Sequence, residues 1–146
     1  MLGFGGASHA EYGADSASAL IAPVTCGVIG RPAGAPALSG SLKVKLAGGS
    51  HVAALYGREE IEEEFLCNYE LNPAFQEQFA TGELSVVGFG EHGEVRIVEL
   101  PGRRFYLATL FPPQLASTER APHPVVVAFL QAAKQFASTR SARSLT

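Results

Sequence analysis

The segment from Leu84 to Phe136 constrains the fold most, because it joins strand-type and helix-type apolar patterns in a fixed order. Its apolar runs are separated by the turns Gly90–Gly93 and Pro101–Gly102, as in consecutive antiparallel strands. Residues 105–111 are nearly all apolar, which is typical of a strand covered on both faces. The Pro112–Pro113 pair ends this run, since neither residue can donate to a sheet. The pattern predicts three strands, with 105–111 as the central one.

The end of this segment predicts a helix that begins at Pro124, a residue favoured at the first helical position. Seven apolar residues follow at helical spacing and would form one stripe: Val125, Val126, Phe129, Leu130, Ala133, Phe136 and Ala137. The Ser-rich tail, residues 138–146, is expected to fray.

Upstream, three local signals predict further elements. Residues 42–46 alternate between apolar side chains and lysines, which predicts a half-buried strand. Ser50 can cap a short helix that Gly57 ends, and Asn72–Pro73 can start another that Gly82 ends. The first forty residues are less regular: the short apolar runs 19–24 and 27–29 could pair as strands, and 30–40 is a loop.

Five carboxylates surround Ile61 between Glu59 and Glu64. Local propensity predicts a helix here, with the carboxylates on a solvated face. Paired carboxylates perform acid–base chemistry only where a pocket separates their pKa values, and the sequence indicates no such pocket. The next residues, 65–71, predict a strand with Phe65, Cys67, Tyr69 and Leu71 on one side.

Length and composition indicate one globular domain over residues 1–146, with 47% hydrophobic and 17% charged residues. The predicted strands and helices place this domain in the α/β class. The net charge of −3 supports neither nucleic acid nor a membrane as a partner. No apolar run approaches the ~18 residues of a membrane span, and the first residues do not resemble a secretory signal. With only two cysteines, the expected protein is cytoplasmic, with reduced thiols and no cofactor.

Several segments resemble one family in order and spacing. Residues 56–61 and 68–73 are similar to the "YG-x-E-x-I … R-Y-E-x-N" passage of the glutaminase domain of CTP synthase, a class I glutamine amidotransferase. Residues 94–100 and 105–111 resemble its "V-E-x-x-E-L … F-F-V-x-x-Q-F" passage. Pro122-His123-Pro124 is similar to the family's ending, and His9 to Tyr12 bears a weaker likeness, so that the resemblance covers mainly residues 41–137.

The resemblance implies a three-layer, flavodoxin-like sandwich around a mixed sheet, of which this chain would be the C-terminal part. It also implies descent from an enzyme of pyrimidine nucleotide biosynthesis. In such a domain, a cysteine on a tight strand-to-helix turn attacks the glutamine amide, and a His and a Glu activate it. That turn would precede residue 1. Cys26 has a glycine on one side only and Cys67 lies within a predicted strand, so both are interpreted as buried, unreactive thiols.

The family's remaining catalytic positions carry other residues here. Pro112 stands where the general base belongs and has no titratable nitrogen, and Gln114 replaces the orienting carboxylate. Asn68 replaces the arginine that resembles a clamp for the substrate carboxylate. The chain is therefore predicted to have no catalytic residue. Asn68 and Tyr69 remain, by position only, the candidate contacts to a glutamine-like small molecule.

The four histidines do not replace the lost base. His9, His51, His92 and His123 are far apart, and none has a cysteine at a recognisable spacing. His92 is in a turn and His123 lies beside prolines, which favours exposed or capping roles. No set of likely ligands has the spacing of a metal site.

Three functional hypotheses follow. The first is a catalytically degenerate domain, a pseudoenzyme that binds a small metabolite or acts as an interaction module. The second is an enzyme with altered thiol chemistry whose nucleophile lies upstream of residue 1. The third is an oligomeric structural module, since half of a three-layer fold leaves sheet surface uncovered. The expected partners are accordingly a second copy or a missing N-terminal half.

Overall fold

The computed structural model describes residues 6–13, 18–23, 38–66 and 68–143. Within these ranges, seven strands and three α-helices form two antiparallel sheets with helical elements packed on them. In chain order the elements are a 3₁₀ turn (Ala10–Tyr12), β1 (Ile21–Pro23), β2 (Ser39–Leu46), α1 (His51–Tyr56), β3 (Glu60–Leu66), β4 (Tyr69–Leu71), a 3₁₀ turn (Pro73–Phe75), α2 (Gln76–Thr81), β5 (Ser85–Phe89), β6 (Val95–Glu99), β7 (Leu107–Thr109) and α3 (Pro124–Arg143).

The larger sheet has the strand order β3-β2-β5-β6-β7, and β1 pairs with β4 in a separate ribbon. Every described strand pair is antiparallel. An isolated parallel bridge joins His9 to Ile21. The predicted α/β class is confirmed, whereas the mixed sheet implied by the resemblance stays a prediction.

In the described sheet, the prediction of a central strand over 105–111 is wrong. Only Leu107–Thr109 forms a strand, and it lies at the edge, paired to β6 alone. The turn after Glu99 delays pairing until residue 107, and the prolines after Phe111 end it. The apolar side chains of residues 105–111 therefore do not indicate a central position in the described sheet.

The predicted helix over Glu59–Glu64 is also wrong, because these residues form β3. Seven residue pairs join β3 to β2, with Lys43 opposite Glu62 and Lys45 opposite Glu60. Opposite charges on facing positions stabilise such a pair, and this tertiary pairing overrides local helix propensity. Alternation exposes three of the carboxylates but directs Glu63 into the interior.

The two helices predicted from Ser50 and Asn72 begin and end at the capping residues that the sequence predicts. The Ser50 hydroxyl accepts a hydrogen bond from the Ala53 amide at 3.2 Å, and Gly57 ends α1 with a φ of 66°. Asn72 caps the next element through the Ala74 amide, but that element opens as a 3₁₀ turn before α2. These two predicted helices are confirmed.

Helix α3 begins at Pro124 as predicted and continues to Arg143, into the segment that the sequence predicts to fray. Its predicted apolar stripe is present but faces mainly outward: Val125 is buried, while Phe129, Leu130 and Phe136 are exposed. No helix in the described part of the chain is long and apolar enough to cross a membrane.

Two apolar clusters hold the fold together. The larger lies between α1 and the sheet and contains Val44, Leu46, Val52, Ala53, Ile61, Val87, Ile97 and Phe111. The smaller lies around α2 and contains Leu71, Phe79, Leu84, Val95 and Leu100. At a register shift in β5, a Cβ on Gly88 would lie 2.6 Å from Cγ1 of Ile97. Glycine at position 88 therefore allows β5 and β6 to pack closely at the centre of the core.

Candidate functional site

The structure places Asn68 and Tyr69 at the small sheet. The Asn68 Oδ1 accepts a hydrogen bond from the Leu38 amide at 2.8 Å, which fixes the entry to β2. Tyr69 lies in β4 opposite Pro23, and its ring centroid is 4.6 Å from that of His9. Both predicted binding residues thus contribute to the scaffold of this end of the molecule.

Pro112 and Gln114 lie in consecutive turns after β7. The carbonyl of Pro112 accepts from the Leu115 amide, and the carbonyl of Gln114 accepts from the Ser117 amide. Gln114 is exposed and Pro112 is half-buried, directly after the buried Phe111. The loop is therefore ordered by backbone hydrogen bonds, but it presents no group that titrates near neutral pH.

A small cavity of about 130 Å³ separates the ribbon of β1 and β4 from β6 and β7. Its walls include Ile21, Leu71, Phe79 and the end of β7, and they are almost entirely apolar. An amino acid such as glutamine carries two charged groups that would need polar partners here. This cavity is consequently ill suited to hold glutamine.

A larger, open cavity of about 640 Å³ lies over the outer face of β2 and β3. Lys43, Lys45 and Arg58 line it together with Glu60 and Glu62. Because each lysine faces a glutamate on the neighbouring strand, the opposite charges largely compensate one another. The cavity has the character of a solvated, charge-paired sheet face.

Three of the four histidines have separate local roles. His9 accepts from the Glu11 amide at 3.1 Å and so caps the first 3₁₀ turn. His51 begins α1, with its ring centroid 6.0 Å from that of Phe105. His92 is exposed in the β5–β6 hairpin turn. Together with His123 they lie on four different elements, so no histidine pair forms a common site.

His123 is the exception to the predicted exposure, since only 4% of its surface is accessible. Its Nε2 lies 3.1 Å from Oε1 of Glu63 and 3.1 Å from the hydroxyl of Tyr56. The Tyr56 hydroxyl also lies 2.6 Å from Oε1 of Glu63. These three side chains, called the Tyr–Glu–His cluster below, join α1, β3 and the start of α3.

The hydrogen bonds assign the protons in this cluster. The His123 Nδ1 accepts from the Val125 amide at 3.2 Å, so the ring hydrogen is on Nε2 and is donated to Glu63. The Tyr56 hydroxyl donates to the same carboxylate. Burial, reinforced by the hydrogen bond and charge of Glu63, raises the pKa of the Tyr56 hydroxyl above its usual range.

The cluster is built for support and not for catalysis. Both ring nitrogens of His123 are engaged, and neither ring nor carboxylate reaches solvent. A general base must contact the proton it removes from a substrate. The capping role predicted for His123 is confirmed, but Glu63 was assigned to a solvated face. Period-two alternation through β3 is the sequence signal that could have placed its side chain inside.

Two further buried carboxylates also support the fold. Glu99 of β6 accepts from the Val52 amide at 2.6 Å and from the His51 amide at 3.4 Å, at the beginning of α1. Glu70 lies 3.5 Å from the guanidinium of Arg96, across the gap between the two sheets. In the described ranges, no group of three His, Cys, Asp or Glu side chains lies close enough to hold a metal ion. Cys26 and Cys67 fall outside those ranges.

The chain is similar in sequence to CTP synthases. It is 37% identical over 95 residues to that of Sphingopyxis alaskensis, an alignment that covers 64% of this chain and 18% of the relative. It is 30% identical over 138 residues to that of Cytophaga hutchinsonii, covering 94% of this chain and 26% of the relative. No family model matches the chain.

A solved structure gives the same likeness at the level of the fold. The Trypanosoma brucei CTPS glutaminase domain with bound acivicin superimposes with a TM-score of 0.80 and 25% identity. The superposition covers 92% of this chain and 53% of that one. The chain thus spans about half the length of the solved domain and about a fifth to a quarter of the curated relatives.

Proposed function

We propose, from the premise that this chain is a glutamine amidotransferase-like domain of the CTP synthase type, that it no longer hydrolyses glutamine and acts as an interaction module. One observation carries the proposal. The loop after β7 is ordered, and the resemblance assigns the family's base and carboxylate to positions that hold Pro112 and Gln114 in this sequence. Neither side chain can accept a proton from a thiol and hold the resulting charge.

The state of Asn68 supports the same conclusion. Its carbonyl oxygen accepts from the Leu38 amide, so this side chain belongs to the backbone scaffold. An amide at this position also lacks the charge with which a guanidinium binds a carboxylate in two hydrogen bonds. Glutamine would therefore lack both an anchor and a base.

In contrast, the polar groups that hold the frame are intact. The Tyr–Glu–His cluster, the Glu99 carboxylate at α1 and the Ser50 cap all have hydrogen-bond partners. Buried polar groups are costly unless they are paired. A chain with such pairs, in which the family's base and carboxylate are predicted to be replaced, is suited to a role that depends on its surface.

The alternative of an enzyme with altered thiol chemistry stays a prediction, because its nucleophile would lie upstream of residue 1. A cytoplasmic location stays a prediction too.

Binding of a glutamine-like metabolite is the second part of the degenerate-domain hypothesis. The apolar walls of the cavity beside β4 argue against it.

Ammonia release from glutamine tests the proposal. The full chain is incubated with glutamine, with the T. brucei glutaminase domain assayed in parallel as a positive control. We expect ammonia at the rate of the protein-free blank. Release above the blank would overturn the proposal, and its loss in Cys26→Ser or Cys67→Ser would assign the activity to that thiol. Calorimetric titration with glutamine, expected to give no heat of binding, separates binding from hydrolysis.

A further inference from the structure

His123 stands directly before the first residue of α3 and contacts the helix and the sheet at the same time. Its carbonyl accepts from the Val127 amide at 3.0 Å, which begins the helical hydrogen bonding. Its Nδ1 accepts from the Val125 amide at 3.2 Å, and its Nε2 lies 3.1 Å from Oε1 of Glu63. One buried ring therefore caps α3 with one nitrogen and joins it to β3 with the other.

The hydrogen bond between Nδ1 of His123 and the Val125 amide, called the latch below, exists only while the ring is neutral. A neutral imidazole has one donor and one acceptor nitrogen, whereas an imidazolium has two donors and no acceptor. A proton on Nδ1 would face the Val125 N–H across 3.2 Å and remove the hydrogen bond. Pro124 has no backbone N–H, so the Val125 amide is the first donor of α3. Loss of its acceptor loosens the beginning of the helix.

The two sides of the ring respond to a proton in opposite ways. The Glu63 carboxylate attracts an imidazolium, which strengthens the bond to Nε2. The beginning of a helix carries a partial positive charge and repels the same cation, while the Val125 amide loses its acceptor. Protonation therefore replaces the latch by an ion pair, so that the first turn of α3 loosens while the ring stays on β3.

From α1, the titratable group that faces the ring is Tyr56, whose hydroxyl lies 3.1 Å from Nε2. Burial and the neighbouring Glu63 raise the pKa of this phenol above its usual range, so it keeps its proton at neutral and acid pH. Arg58, just beyond α1, remains a cation throughout. Neither side chain changes charge when a histidine titrates.

The other elements around the ring contribute one further proton acceptor. Glu63 of β3 is that group, and the experiment below separates it from the ring. The loop before α3 contributes the Ser117 hydroxyl, which accepts from the His123 amide at 3.0 Å and does not titrate. Helix α3 has no titratable side chain before Lys134.

We propose that His123 is a pH-sensitive switch for the beginning of α3. With a neutral ring the latch is closed and the first turn is capped. When Nδ1 takes up a proton from solvent, one N–H bond forms, the hydrogen bond to Val125 breaks, and the ion pair with Glu63 holds the ring in place. Val125 and Ala128, which are buried in the first turns, attach α3 to the fold. The switch therefore sets how firmly this helix is held.

Ring spectra and amide exchange, measured by NMR on the full chain, test this inference. Both are recorded from about pH 8 to about pH 5, on either side of the ordinary histidine pKa of about 6.5. Long-range proton–nitrogen spectra are expected to show Nδ1 of His123 unprotonated at the upper end and protonated at the lower end. Over the same interval, the protection factor of the Val125 amide should fall about two- to thirtyfold, as expected for the loss of one helix cap.

The Ala53 amide is the comparator within the same molecule. It donates to the Ser50 hydroxyl over the same distance of 3.2 Å, at the beginning of α1. Because a hydroxyl does not titrate in this interval, protection at Ala53 should change less than about twofold. A parallel loss of protection at Val125 and Ala53 would indicate a general loosening of the fold and overturn the inference.

Two substitutions at His123 separate the two bonds of the ring. In His123→Asn the side-chain oxygen replaces Nδ1, and asparagine is a favoured cap, so protection at Val125 should remain and no longer depend on pH. In His123→Gln the longer amide reaches Glu63 in place of Nε2 but leaves Val125 without its acceptor. Protection should then be low at both ends of the interval. A pH response that persists in His123→Asn would assign the proton to Glu63 and overturn the inference.

His92→Asn is the matched control, because His92 is exposed in the β5–β6 turn. It should leave the pH response of the Val125 amide unchanged. Circular dichroism melts check that each variant is folded. The comparison of Val125 with Ala53 in the unsubstituted chain decides the question even where a His123 variant fails to fold.

Three further results would overturn the inference. They are a proton already on Nδ1 of His123 at the upper end of the interval, a ring that takes up no second proton within it, and unchanged protection at Val125 while the ring titrates. Glutamine hydrolysis by the chain would overturn the proposed function and leave these results unchanged, so the two failures are distinguishable.

Discussion

Oε1 of Glu63 lies 3.1 Å from Nε2 of His123, although 60 positions separate the two residues in sequence. The Tyr56 hydroxyl donates to the same carboxylate oxygen. One carboxylate therefore accepts from a buried and a half-buried donor and joins α1 and the beginning of α3 to β3. Hydrogen bonds to charged groups are stronger than neutral ones, and an unpaired buried donor is costly. This cluster is the main polar connection between α3 and the sheet.

Replacement of the carboxylate should weaken that connection. In Glu63→Gln the amide oxygen can accept from one donor, while its NH₂ group faces the other. We expect the free energy of unfolding in urea to fall by about 1–3 kcal/mol. Glu62→Gln, at the adjacent exposed position where the carboxylate accepts from Ser41, should change it by less than about 0.5 kcal/mol. Equal losses in the two variants would contradict the structural role of Glu63.

The raised pKa of Tyr56 predicts a loss of stability in alkali. Below the ordinary tyrosine value of 10.0, both the folded and unfolded states hold the phenol proton. Above it, the unfolded state releases the proton while the folded state keeps it, so the unfolded state binds fewer protons and stability falls as pH rises. The limiting slope is about 1.4 kcal/mol per pH unit, and partial exposure of Tyr56 keeps the slope below that limit.

Urea unfolding at intervals between pH 9 and 11 measures this dependence (about one unit either side of the ordinary value). Tyr56→Phe should flatten the slope, whereas Tyr12→Phe, at a fully exposed ring, should retain it. A slope that survives unchanged in Tyr56→Phe would show that other groups cause it.

Gly88→Ala should destabilise the centre of the sheet. The added Cβ would lie 2.6 Å from Cγ1 and 2.7 Å from Cβ of Ile97, whose side chain is fully buried. Because Ile97 cannot move out of the core, we expect a loss of about 1–3 kcal/mol in urea unfolding. At Gly48 the nearest atom is the end of the flexible Glu59 side chain. Gly48→Ala should therefore be tolerated, and a comparable loss there would count against the steric explanation.

Elements whose signals are local could be predicted from the sequence. Ser50 and Gly57 bracket α1 within eight residues and act on groups in their own helix. The helix expected over Glu59–Glu64 failed because its deciding partners, Lys43 and Lys45, lie on another strand. The alternating pattern of these residues also fits a strand, but local helix propensity carries no information about a neighbouring strand.

The same distinction applies to the site. The resemblance predicts that Pro112 and Gln114 replace the family's base and carboxylate, because family motifs are compared along the chain. It could not show that His123 turns inward to Glu63, or that Asn68 binds the Leu38 amide thirty residues upstream. Such contacts depend on packing, which brings distant segments together after the strands pair.

Asn68 provides the sharpest test of whether a lost residue has acquired a new role. Asn68→Arg introduces the cation that the resemblance predicts at this position but removes the oxygen that accepts from the Leu38 amide. We expect the free energy of unfolding to fall by about 0.5–1.5 kcal/mol, with no heat of glutamine binding. Asn68→Asp keeps an acceptor of the same shape and should retain stability. If the arginine variant bound glutamine without loss of stability, position 68 would still be a substrate site, and its present hydrogen bond would be incidental.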